Sequence, residues 1–204
     1  MNRTKQFILL LRQNPNKMVL FDFVHKHKNY IKDVLPYIDN GIIIDTSVLK
    51  IFINGFVNVQ ISKKTSQEYD DLIKFFELIK INNQWAKVMI THHIFTEICI
   101  HIRNNYRMNH NYNEIIKNII PILVNTKEYN IKKDNILNHI DMKDPIIEIG
   151  DISIYLTIKN YEKNGEKICV FEKDGKFLKE YGDETIKNVM VIDYDKVMLD
   201  IKEI

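Results

Sequence analysis

The chain has 204 residues, of which 45% are hydrophobic and 27% charged, and its formal net charge is +2. These proportions suit one globular core of sizeable extent and exclude a disordered polar chain, a collagen-like chain and a low-complexity linker. So small a net charge is not the footprint of a strongly basic nucleic-acid binder, so positive surface for such a partner has to be local.

Residues 1–40 read as a helical N-terminal extension, with Phe7, Ile8, Leu10 and Leu11 as an apolar stripe, a break at Asn14-Pro15-Asn16 and a second amphipathic stretch. Residues 41–204 read as one domain. Its first element is Ile42-Ile43-Ile44, three β-branched residues that predict a strand buried on both faces. Thr46 and Ser47 follow, where the chain leaves the strand for a helix. Residues 50–65, with Gly55 and alternating Val and Ile, read as a loop or short hairpin. Thr65-Ser66-Gln67-Glu68 can cap a helix to about Ile81. A second strand is expected at 87–90 and a helix from Thr91 past His101. Further helices are expected at 111–125, 127–140 and from Asp151 to about Lys163. Strands at 167–171 and 188–192 follow, with a short helix after Asp174. Strands alternating with helices predict an α/β fold, a mostly parallel central sheet flanked by helices.

Two cysteines, Cys99 and Cys169, make no disulfide framework; both stand in apolar runs and read as buried, reduced thiols. No run approaches the length of a membrane span and no signal-peptide cleavage site follows the N-terminus, so a cytoplasmic protein without membrane contact is expected.

Ligand sites in open α/β sheets lie outside the carboxyl ends of the strands. Asp45 stands just past the first strand, Glu97 in the helix after the second, Asp151 at a helix start and Asp174 just past the third strand. Converging carboxylates repel one another and persist when a cation neutralises them, and hard oxygen ligands suit Mg²⁺ or Mn²⁺. Taken singly, Asp45 and Asp174 also read as turn residues, Asp151 as a helix cap and Glu97 as solvated surface.

The order of these acids resembles the PIN-domain ribonucleases. Ile43-Ile44-Asp45-Thr46-Ser47-Val48-Leu49 is similar to the first motif of that family, and Phe95-Thr96-Glu97-Ile98 to the second. Gly150-Asp151-Ile152-Ser153-Ile154 is similar to the third, and the stretch from Val170 through Asp174 to Leu178 to the fourth. The resemblance covers about residues 41–195. It implies a PIN-like parallel sheet, metal-dependent hydrolysis of RNA, and a Mg²⁺ or Mn²⁺ site held by Asp45, Glu97, Asp151 and Asp174. Ser47 would orient Asp45, and Glu148 is a further carboxylate near Asp151. Glu172 stands where the family usually has Thr or Ser. The family often acts as the toxin of a toxin–antitoxin pair, so RNA and an antitoxin-like protein are the implied partners, with a homodimer or an RNA-processing role left open.

Arg103, Arg107 and Lys117 lie between the second and third motifs with tyrosines interleaved, a candidate RNA-binding stretch or a solvated face. His93, Glu97 and His101 share one helix face but lack the order of zinc peptidases. Two other readings compete with the nuclease: a PIN-like module that binds RNA or protein and cuts nothing, and a phosphotransfer fold with Asp45 as nucleophile.

Overall fold

The structure is a computed structural model and describes residues 34–140, 148–173 and 188–202. In chain order the elements are β1 (Ile42–Ile44), α1 (Thr46–Ser62), α2 (Gln67–Leu78), β2 (Val88–Thr91), α3 (His92–Tyr106), α4 (Tyr112–Asn125) and β3 (Lys127–Tyr129). They continue with α5 (Lys133–Leu137), α6 (Ile149–Lys163), β4 (Ile168–Glu172), β5 (Val189–Asp193) and α7 (Tyr194–Lys202). The five strands form one sheet in the order β3-β2-β1-β4-β5, and every neighbouring pair is parallel. The fold is α/β, an all-parallel sheet flanked by helices.

Every residue of β1, β2 and β4 is buried. That is the environment β-branched runs select, since a parallel strand covered on both faces has no polar side to expose. In register, Ile43 lies between Met89 of β2 and Val170 of β4. Val34 and Ile38, from a helical turn at 34–38, belong to the same buried core as these strands. Residues 1–33 of the N-terminal extension, Asp174 and the short helix expected after it lie outside the described residues.

Two expectations are corrected. Residues 50–62 are not a loop or hairpin but most of α1. Its buried residues Val48, Leu49, Phe52, Ile53 and Val57 fall at helical spacing, which outweighs the strand-like Val/Ile alternation. Gly55 sits inside this helix because the ring of Tyr69 on α2 packs where a side chain would stand. The expected helix over 127–140 instead begins as β3, which pairs Met89 with Lys127 and Thr91 with Tyr129. That pairing satisfies one edge of β2, whose backbone groups would otherwise go without partners.

The sheet order runs from β1 outward to β3 in one direction and through β4 to β5 in the other. The reversal falls between β1 and β4, and the crevice outside their carboxyl ends is where such sheets bind ligands. Asp45 and Glu172 stand at those two ends. No helix among the described residues is long and apolar enough to cross a membrane.

Candidate active site

Asp45 leaves the sheet with its backbone still engaged: its N–H donates to the Phe171 carbonyl at 2.9 Å. The next residue begins α1, and Asp45 is that helix's N-cap. Its Oδ2 accepts the Ser47 N–H at 3.3 Å and also accepts the Ser47 hydroxyl. A carboxylate here satisfies a helix donor and meets the positive end of the α1 dipole, so its charge is stabilised and its orientation fixed.

Glu97 and Asp151 belong to two other elements, α3 and α6. Thr91 ends β2 and caps α3, its Oγ1 accepting the Ile94 N–H at 3.3 Å. The same hydroxyl is hydrogen-bonded to Ser153 of α6 at 2.9 Å, and both residues are fully buried. This bond ties the first turn of α6 to the end of β2. Ser153 also donates to the Gly150 carbonyl at 2.7 Å. Gly150 has no side chain, and Glu97 Oε1 lies 3.7 Å from where its Cβ would be. The Glu97 carboxylate therefore reaches the first turn of α6, where Asp151 stands next to Gly150. The cap of α6 is Glu148, exposed and making no side-chain cap bond, so Asp151 is a first-turn residue rather than the cap.

Glu172 ends β4, paired in register with Asp193, and is only 2% exposed. Lys173 follows, its ammonium 2.7 Å from Glu68 and 4.8 Å above the Tyr194 ring. Those contacts fix the chain at its departure toward Asp174.

Asp45 and Glu172 at the β1–β4 crevice, and Glu97 and Asp151 where α3 meets α6, all offer carboxylate oxygens, the ligand chemistry of Mg²⁺ or Mn²⁺. Among the described residues, however, no three His, Cys, Asp or Glu side chains are gathered as a ready-made metal cage. Asp45, Glu97 and Asp151 thus suit a hard cation by type, Asp45 at the end of β1 and the other two where α3 meets the first turn of α6, and Asp174 is outside the described residues.

The histidines of α3 serve different ends. His101 Nε2 is 2.7 Å from Asn54 Oδ1 of α1, and the Tyr106 hydroxyl donates to the same oxygen at 2.6 Å. His101 is therefore part of the α1–α3 seam. Burial, with Lys50 nearby, holds its pKa below the usual imidazole value. His93 is also lowered, by burial first and then by His92, while Glu97 opposes the shift.

Arg103, Arg107 and Lys117 are all exposed. Arg103 and Arg107 lie about 9 and 15 Å along the helix axis from Glu97, toward the far end of α3. The reading of both cysteines as buried is corrected for Cys99, which is exposed, whereas Cys169 is buried. Ile98 and Ile102 take the core-facing positions of α3, leaving Cys99 beside Phe95 in a groove of about 550 Å³ against α4.

One group of residues was not singled out from the sequence. Tyr155, Lys159 and Lys163 follow Asp151 at intervals of four along α6 and line a second cavity. The spacing itself is the signal that marks them, since residues four apart share a helix face. Comparison of the chain with family models, curated proteins and solved structures finds no match.

Proposed function

We propose that the chain is a divalent-cation-dependent hydrolase of RNA phosphodiester bonds, with a PIN-like fold. The observation that carries this reading is the placement of Asp45 at the carboxyl end of β1, beside the β1–β4 reversal, with Glu97 reaching the turn that holds Asp151. Asp45, Glu97, Asp151 and Asp174 are the residues that would hold Mg²⁺ or Mn²⁺. When bound, the cation supplies Lewis-acid stabilisation of charge on the phosphoryl oxygens. Ser47 fixes the rotamer of Asp45, so that carboxylate is oriented before substrate arrives. The Thr91–Ser153 bond keeps α6 seated on β2, and with it Asp151 near Glu97. This chemistry serves a toxin with an antitoxin-like partner and an RNA-processing nuclease equally.

The lack of a three-ligand group among the described residues favours one second reading, a module of the same fold that binds RNA and cuts nothing. Incubation of total RNA with the protein, with Mn²⁺ and separately with EDTA, decides between them. Cleavage with Mn²⁺ that disappears with EDTA and in Asp45→Asn is the expected result. RNA binding without cleavage under every condition supports the module instead.

A further inference from the structure

Helix α4 is apolar on two faces. Ile115, Ile119 and Ile122 turn into the core. Ile116, Ile120, Leu123 and Val124 recur at helical spacing on the adjoining face, and with Phe95 and Cys99 of α3 they wall the groove of about 550 Å³. Ile120 is 50% exposed, Val124 74% and Phe95 36%. A helix that is apolar on both faces is one that is covered on both, and large apolar side chains grouped in a groove mark a docking surface. Glu128 is the charged residue of the lining.

The chain carries a segment that suits this surface. Phe7-Ile8-Leu9-Leu10-Leu11 is its longest uninterrupted apolar run, with Phe7, Leu10 and Leu11 at the spacing of one helix face. Lys5 and Arg12 flank the run, opposite in charge to Glu128. The run also has the reach. Asn40 Nδ2 donates to the Lys167 carbonyl at 3.0 Å, which fixes residues 34–40 near the start of β4. The sheet order puts β4 three strands from β3, about 14 Å away. The stretch from Leu11 to Val34 spans about 35 Å even when wholly helical. Residues 141–147 and 174–187 suit the groove less well. Both are tethered at two ends, the second to β4 and β5 toward the opposite edge of the sheet, and neither holds more than two adjacent apolar residues.

We infer that the α3–α4 groove is the docking site for residues 7–11 of the same chain. Phe7, Leu10 and Leu11 cover Phe95, Ile120 and Val124, and the flanking cations meet Glu128. The inference is independent of the ribonuclease reading, since the groove holds none of the carboxylates assigned to the cation.

The test uses the full chain and follows alkylation of Cys99 by iodoacetamide at about pH 8.5, where burial of the groove reads as protection. Cys169, buried in β4, is the internal record that the core stays closed. Leu10→Asn with Leu11→Asn should uncover the groove and raise the Cys99 rate about fivefold or more, with Cys169 still unmodified. Leu10→Met with Leu11→Met keeps the apolar face and should keep the wild-type rate. Ile120→Asn, at a half-exposed side chain, should also raise the rate, and adding the two Asn substitutions to it should raise it no further, because both sides act through one contact. A Cys99 rate that the Leu10 and Leu11 substitutions leave unchanged, or effects that multiply in the triple variant, overturn the docking. A wild-type rate that falls as the protein is concentrated puts a second copy in the groove and overturns it as well. Reaction of Cys169 in the variant with Asn at both leucines would place those leucines in the core rather than in the groove, with the same consequence.

Discussion

The backbone N–H and the hydroxyl of Ser47 both donate to Oδ2 of Asp45, so the carboxylate that closes β1 is also the N-cap of α1. Stability and the proposed cation site therefore meet in one side chain. Asp45→Ala removes the cap and should lower the unfolding free energy by about 1 kcal/mol in urea titrations without metal. Asp45→Asn caps as well as Asp and should unfold near the wild-type midpoint. A loss in Asn as large as in Ala would show that the charge, rather than the cap, holds the helix start.

Gly55 tests the packing of α1 on α2. A Cβ there would lie 2.1–2.5 Å from the Tyr69 ring and Cβ atoms. The near atoms include Tyr69 Cβ, so a rotation of the ring does not clear them. Ala is favoured over Gly in a helix by about 1 kcal/mol, while overpacking costs about 1–3 kcal/mol. Beside contacts this short the cost falls in the upper part of that range, so Gly55→Ala should lose up to about 2 kcal/mol net, read from denaturant midpoints. An unchanged or raised midpoint would mean that the two helices separate at little cost.

The reach of the sequence differed along the chain for physical reasons. β1, β2, β4 and β5 are runs of apolar residues, largely β-branched, bounded by polar ones, and that pattern has few other uses in a short segment. α1 was obscured because Ile51, Ile53, Val57 and Val59 alternate as a strand would, while the helical set of Val48, Leu49, Phe52, Ile53 and Val57 shows only once burial is known. β3 is Lys-Glu-Tyr, with Lys127 and Glu128 exposed and Tyr129 partly buried, and exists because β2 offers it an edge. Asp45 could be placed because strand ends are legible. That Glu97 lies over Gly150 in the first turn of α6 is a three-dimensional fact. The exposure of Cys99 likewise turns on which face of α3 meets the core.

His101 contributes to the acid sensitivity of the fold. Its folded-state pKa lies below its unfolded value of about 6.5 because the α1–α3 seam buries it, with Lys50 the charged neighbour that adds to the shift. The unfolded chain therefore takes up the proton more readily. The stability it supports is fully present above about pH 6.5 and is lost as pH falls through the folded value. Urea midpoints at about pH 7.5 and about pH 5 should differ less in His101→Gln than in wild type. An identical difference would remove His101 from the acid sensitivity.

The two thiols should behave differently. Burial pushes the Cys169 thiol far up and shuts it inside β4, whereas Cys99 is exposed on α3. Burial raises Cys99 too, so alkylation should be slow at neutral pH and quicker in mild base. Mass spectrometry should find one modified cysteine in folded protein and two after unfolding, with the first absent in Cys99→Ser. Modification of Cys169 in the folded protein would contradict the packing of the central sheet.

The claim on which the rest depends is that the carboxylates at the strand ends hold a divalent cation. Thermal unfolding of the full chain across a Mn²⁺ series reads this directly, because a ligand of the folded state alone stabilises it by about 2.7 kcal/mol at 100 times its Kd. The melting temperature of wild type should climb with Mn²⁺, and that of Asp45→Asn with Asp151→Asn should stay flat. An equal climb in the double variant, or none in wild type, would contradict the metal site.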